Sequence, residues 1–262
     1  MPLDIDRFAH LETSIHRWDP RLKILSLGIF IFGVAILKSI PLVFIALITA
    51  SIFLKITNLP FHFIVNGIKW VVFFLAPFFV IMPFSYPADA AFYIWKLPFA
   101  WEGLRVATLI FIKAITIVLT TYAIFGSARF DISMIALQRL RCPKVIVQML
   151  LFTYRYIFVF IEEMKRMDTA MRCRGFVMKT NMETLRVMGN FVGTLLVRSF
   201  ERTSRVYKAM LSKGYQGEFH TMVVFQAGWK DIVKAALVLM VIGAIIAGEL
   251  SGSFNTAVDG WY

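Results

Sequence analysis

Acidic residues are scarce in this chain. Sixteen Asp and Glu stand against 28 Lys and Arg, a formal net charge of +12 over 262 residues. Charged residues of both signs make up only 17%, where soluble domains carry about a quarter. Cysteine is nearly absent. Cys142 and Cys173 share no Cys-x-x-Cys spacing, and both fall in a segment read below as cytoplasmic, where thiols stay reduced. That excludes a disulfide framework and a cysteine-based zinc site. His10, His16, His62 and His220 are scattered and make no metal-ligand spacing. No Gly-x-x-x-x-Gly-Lys-Ser/Thr run occurs, so the chain carries no phosphate-binding loop of its own. Gly-x-Ser-x-Gly and His-Glu-x-x-His are also missing. With no catalytic constellation, the chain reads as a non-enzyme, and no metal or cofactor is expected within it.

Apolar residues are what the chain has in excess. They reach 59%, with mean hydropathy +0.72. They also come in blocks, at 22–37, 40–54, 70–86, 105–128 and 232–248. A spanning helix needs about 20 mostly apolar residues, within a range near 17–25. Several blocks are slightly short, but the lysines beside them (Lys23, Lys38, Lys55 and Lys69) reach the headgroups by snorkelling. The first block is not expected to be a cleaved leader. It starts late, lacks a small-residue cleavage site, and is followed within a few residues by the next block. The expected fold class is therefore an all-α integral membrane protein, with about five transmembrane helices and two long cytoplasmic helices.

Charge placement sets an expected orientation. Residues 129–213 hold 16 of the 28 Lys and Arg, against six acids. Basic loops stay inside, so this segment is expected in the cytoplasm of a multi-pass inner- or plasma-membrane protein. Arg7, Arg17, Arg21 and Lys23 place the N-terminus inside too, and the tail after Glu249 has no Lys or Arg and reads as outside. The Pro- and aromatic-rich stretch 87–103 falls outside, with Trp95 and Trp101 as interfacial anchors. Three regions follow: a transmembrane region at 1–128, a cytoplasmic coupling-helix region at 129–218, and a last span with its tail at 219–262. Nucleic-acid binding is the competing reading of a basic protein. The positive-inside pattern already accounts for the charge, so no nucleic-acid partner is expected, and membrane lipid is.

The cytoplasmic region reads as two long helices. One runs over 144–174, with Pro143 at its start and an apolar stripe of Phe160, Met164, Met167 and Met171. Gly175 follows as a residue free to adopt positive φ. The second runs over 182–213 and stops at Gly214, with Phe200, Ser204, Tyr207 and Leu211 as its stripe. The two ends repeat at a shift of 39. Glu162 falls on Glu201, Arg166 on Arg205, Ala170-Met171 on Ala209-Met210, Arg174-Gly175 on Lys213-Gly214, and Phe176 on Tyr215. One such end is an ordinary helix cap, with a basic residue at the negative end of the dipole and a glycine behind it. A cap does not require the same Ala-Met and the same aromatic twice. A duplicated basic tip facing the cytoplasm suits a partner with two equivalent acidic pockets, as a symmetric or pseudo-symmetric dimer supplies.

These paired tips resemble the twin Ala-Arg-Gly motifs of the T components of energy-coupling-factor (ECF) transporters, and the chain resembles their CbiQ branch. The stretch Ser14-Ile15-His16-Arg17-Trp18-Asp19-Pro20-Arg21-Leu22-Lys23 is similar to that family's Leu-Asp-Pro-Arg-x-Lys entry into the first span. The likeness extends from about residue 6 to residue 218. It departs at Cys173 and Ser212, which stand for Ala, and at Lys213, which stands for Arg. Lys213 keeps the charge and loses the bidentate fork. The resemblance implies a coupling subunit joining two cytoplasmic ATP-binding-cassette subunits to a substrate-binding membrane subunit, usually for cobalt or nickel. ATP and Mg would be held by the partner ATPases. It also implies ATPase docking by Ala170, Met171, Cys173, Arg174 and Gly175, and by Ala209, Met210, Ser212, Lys213 and Gly214.

Two further features stand out. Gly189-x-x-x-Gly193 has the small-residue spacing that lets helices approach closely in a membrane, and is expected at the crossing of the two long helices or at the substrate subunit. Lys113 lies about 12 Å along its helix from Arg105, where an ionisable residue is functional, snorkels or pairs inside the bundle. The alternative reading is a stand-alone permease or channel. It would need polar residues converging in mid-membrane, and apart from Lys113 and the threonines near it the spans are poor in them. A membrane-bound enzyme would need clustered His, Asp or Cys at one interface.

Overall fold

The computed structural model describes residues 13, 15–85, 92–94, 97–99, 101–217, 225 and 227–251. The elements in chain order are α1 (Pro20–Ile36), α2 (Ile40–Thr57), α3 (Phe61–Ser85), β1 (Phe92–Ile94), β2 (Leu97–Phe99), α4 (Trp101–Phe125), α5 (Phe130–Arg139), α6 (Lys144–Cys173), α7 (Met182–Ser212) and α8 (Trp229–Leu250). The described residues divide into two compact units. One spans 137–217. The other joins 13–136 to 225–251.

The second unit is a helical bundle. Leu27, Phe30 and Val34 of α1 pack with Val43, Ala46 and Ala50 of α2, Leu119 and Ile124 of α4, and Val238, Ile242 and Ile245 of α8, all buried. Small residues set how close the helices come. A Cβ at Gly33 would collide with Ile242 of α8, and one at Gly103 with the Met82 carbonyl. This is the close packing that helices use in a membrane, where apolar burial alone gives no preference for protein over lipid. The opposite face of α3 is bare: Trp70, Phe73 and Phe74 are 73–74% exposed, with Val80 and Ile81 beside them. A row of exposed aromatics of this size is stable against acyl chains and not against water.

The Asp-Pro-Arg-x-Lys entry is a local fastening. Pro20 opens α1, and the Asp19 carboxylate accepts from the Arg21 backbone N–H at 2.9 Å and pairs with its guanidinium at 3.0 Å. Trp18 Nε1 donates to the Asp231 carbonyl of α8 at 3.1 Å. Lys23 is fully buried, and its Nζ donates to Ser127 Oγ at 3.0 Å, just past the end of α4. At the other end of α1, the Glu249 carboxylate accepts from the Lys38 N–H at 2.9 Å, and Lys113 Nζ donates to the Ala35 carbonyl at 2.9 Å. Lys113 thus serves as a tie between α4 and the end of α1.

Among the described residues, five helices are long and apolar enough to cross a membrane: α2, residues 62–84 of α3, α4, α6 and α8. The number matches the sequence expectation and the membership differs. At 17 residues α1 is at the short limit for a span. Helix α6 qualifies because its first half is apolar and uncovered, with Val145, Ile146 and Met149 48–63% exposed. Inside the stretch expected as an irregular outside loop, β1 and β2 pair antiparallel, Phe92 opposite Phe99. Trp101 opens α4, and Trp95 lies outside the described residues.

Candidate functional site: two matched helix ends

Helices α6 and α7 hold 30 and 31 residues. Their C-terminal ends are built alike, bond for bond. After α6, Arg174 has φ −87° and ψ 11°, and Gly175 turns left-handed at φ +84°. The Gly175 N–H donates to the Arg172 carbonyl at 3.0 Å, and the Phe176 N–H reaches back to the Met171 carbonyl at 3.1 Å. After α7, Lys213 has φ −94° and ψ 12°, and Gly214 has φ +82°. There the Gly214 N–H donates to the Leu211 carbonyl at 2.9 Å, and the Tyr215 N–H to the Met210 carbonyl at 3.0 Å. Both are Schellman ends, in which a left-handed residue closes the helix and two orphan carbonyls are satisfied.

Exposure also matches position by position. Ala170, Cys173, Arg174 and Gly175 are exposed, as are Ala209, Ser212, Lys213 and Gly214. Met171 and Met210 are half-buried, and so are Phe176 and Tyr215. The helix side of each end is thus pinned by a methionine and an aromatic, and the basic side chain stands clear. Upstream, Arg166 pairs with Glu162 at 2.6 Å, and Arg205 with Glu201 at 3.8 Å.

The structure gathers the residues of each tip and keeps the two tips apart. From its start to its middle, α6 runs antiparallel to α7. Gln148 lies against the turn at Tyr215 and Gly217. Met149, Phe152, Tyr156 and Phe160 face Arg202, Val206 and Met210 across an apolar groove of about 320 Å³. Further along, Glu163 pairs with Arg198. The second tip therefore sits beside the beginning of α6 and the first tip at its end. At 1.5 Å per residue, positions 148 and 173 are about 38 Å apart.

Two expectations need correction. The stripe Phe200, Ser204, Tyr207 and Leu211 is split: Tyr207 lines the groove against α6, while Phe200 is 75% exposed and Leu211 48%. Val206 and Met210, neighbours of Tyr207 and Leu211 in sequence, line the same groove. Gly189 and Gly193 do not hold α6 and α7 together. A Cβ on either would meet nothing within 4 Å, and the two lie on an open face of α7 with Asn190, Thr194 and Val197. Sequence reasoning also missed Gln148, whose partners lie 67 and 69 residues away and leave no local signal.

Among the described residues, no group of three or more His, Cys, Asp or Glu is placed to hold a metal ion. Comparison with known proteins bears on the same helices. The family model described as "Cobalt transport protein", CbiQ, matches residues 12–247. The energy-coupling factor transporter transmembrane protein EcfT of Heliobacterium modesticaldum is 26% identical over 225 residues, 82% of this chain and 85% of the relative. EcfT of Bacillus subtilis is 26% identical over 229 residues, 81% and 84% of the two chains. The cobalt transport protein CbiQ of Rhodobacter capsulatus is 30% identical over 111 residues, 42% of this chain and 44% of that one. A multi-pass helical chain with a family match across nearly its whole length belongs to the CbiQ family, as the transmembrane T component of an ECF transporter.

Proposed function

We propose that this chain couples a pair of cytoplasmic ATP-binding-cassette subunits to a substrate-binding membrane subunit, and that the two matched helix ends are its ATPase-docking sites. The observation that carries this reading is the same six-residue ending, built with the same bonds, at two points about 38 Å apart. A single small domain is about 30 Å across. Two equivalent pockets at that spacing suit two subunits of a dimer better than one domain. Arg174 and Lys213 enter carboxylate-bearing grooves, Gly175 and Gly214 permit close approach, and Cys173 and Ser212 keep the neighbouring position small. Removing either charge from a buried, hydrogen-bonded pair costs about 2–5 kcal/mol of docking.

In this reading the tips, the N-terminus and α6–α7 face the cytoplasm, which the basic segment supports, and the coupling region is 129–218 between transmembrane regions 1–128 and 219–262. ATP and Mg act in the partner subunits, and none is held by this chain. The open glycine face of α7 meets the substrate subunit. The transported substrate is cobalt or nickel ion, a reading supported by the family description and by the name of the Rhodobacter relative.

The test is affinity co-purification of the chain with its native neighbours, wild type against the Arg174→Glu, Lys213→Glu double variant. An ATPase that copurifies with wild type and is lost with the variant supports docking at the tips. An ATPase retained by the variant, or none in either, refutes it.

A further inference from the structure

The two tips match in backbone and exposure, yet only the second is fastened to the other helix by Gln148. Its Nε2 donates to the Gly217 carbonyl at 3.1 Å, and its Oε1 accepts from the Tyr215 hydroxyl at 3.3 Å. The orientation of the amide is set by chemistry. A backbone carbonyl only accepts, so the nitrogen must face Gly217 and the oxygen is left for the phenol. Gly217 has φ +92°, in the left-handed region, and its carbonyl lies against α6 at Gln148. Gln148 lies one turn into α6, five residues beyond Pro143. At the first tip the position equivalent to Tyr215 is Phe176, which has no hydroxyl to offer.

We propose that Gln148, Tyr215 and Gly217 form a clasp that passes motion of the second tip directly to the root of α6. Gln148 is a positioning residue in it and touches no substrate. This inference rests on the reading of the tips as ATPase-docking sites. Without the clasp, a displacement of residues 213–217 reaches α6 through side chains across the apolar groove, where no hydrogen bond fixes Met210 to Met149 and Phe152, and through the Glu163–Arg198 crossing, about four turns along the helix. With it, displacement reaches the first turns of α6, which the chain joins to α5 through residues 140–143. The two tips are therefore unequal in what they move, although they are equal in what they present.

Hydrogen exchange on the intact complex with its ATPase, with and without a non-hydrolysable ATP analogue, tests this. The variants are Tyr215→Phe, which gives the second tip the residue of the first, and Gln148→Leu. In the absence of nucleotide, Tyr215→Phe should lose about fivefold of the protection at 214–217, as expected from losing one net hydrogen bond, and Gln148→Leu, which removes both bonds, should lose more. In wild type the analogue should change exchange at 210–217 and at 146–150 together. In both variants the change at 210–217 should persist and that at 146–150 should vanish. A merely structural role would lower protection without separating the two responses. A response at 146–150 that survives in both variants overturns the clasp with docking intact. Loss of the ATPase from wild type as well would sink the docking reading and this inference with it.

Discussion

Alanine at Gly175 or Gly214 isolates one physical quantity. Both glycines are left-handed, at φ +84° and +82°, and a Cβ on either would meet nothing within 4 Å. Sterics with neighbours therefore contribute nothing, and only the backbone conformation is penalised. For an L-residue that penalty is about 1–2 kcal/mol. Because the two angles differ by so little, the penalty should be the same at both tips. Its readout is exchange of the Phe176 and Tyr215 amides, which close the two ends onto the Met171 and Met210 carbonyls. About 1–2 kcal/mol corresponds to exchange faster by about 5–30-fold. Asparagine tolerates the left-handed region better than alanine, so Gly175→Asn and Gly214→Asn should lose clearly less. If asparagine is as damaging as alanine, or if the two tips lose protection by very different factors, the glycines are there for side-chain space and the strain argument is wrong.

Three other outcomes follow from the packing. Gly33→Val drives a side chain into Ile242 and should destabilise the bundle by about 1–3 kcal/mol, lowering the melting temperature in detergent; Ile242→Ala in the same chain should recover part of the loss. Glu163 and Arg198 form a partly exposed pair at the helix crossing, so a double-mutant cycle in Glu163→Gln and Arg198→Gln should give a coupling energy of about 1 kcal/mol or less. Lys213→Arg restores the fork that the second tip lacks and should tighten ATPase retention by about 1 kcal/mol, one additional hydrogen bond, whereas Arg174→Lys should weaken it by a similar amount in the same co-purification assay.

Much of the molecule was legible from the chain alone, for local reasons. Asp19-Pro20 reads as a helix entry because its capping chemistry is complete within three residues. The endings at Gly175 and Gly214 read correctly because a Schellman end is a local object, fixed by a glycine and the turn before it. What stayed hidden depends on distant partners. Lys23 looks like a flanking snorkel, yet it is buried against Ser127, 104 residues away. The stripe on α7 was only partly the packed face, Tyr207 lining the groove while Phe200 and Leu211 stay exposed, because an isolated apolar stripe cannot say what it packs against. Helix α5 and the β1–β2 pair were not anticipated, being short and without strong periodicity. The first half of α6 was read as cytoplasmic on charge, and its apolar composition also fits a membrane.

The packing of α8 on α1 has a consequence for how the protein is made. Gly33 and Ile242 interlock, and Trp18 is held by Asp231, so the first helix of the bundle is closed by the last. Roughly 200 residues must leave the ribosome between them, which at about 5–20 residues per second is about 10–40 s. During that interval α1 is joined by α2 and then by α4 but not by α8, and the Gly33 groove faces lipid. Helices α6 and α7 emerge within the same interval. The tips are therefore complete before the bundle is, and an ATPase that binds them early would meet a nascent chain whose membrane part is still open on one side.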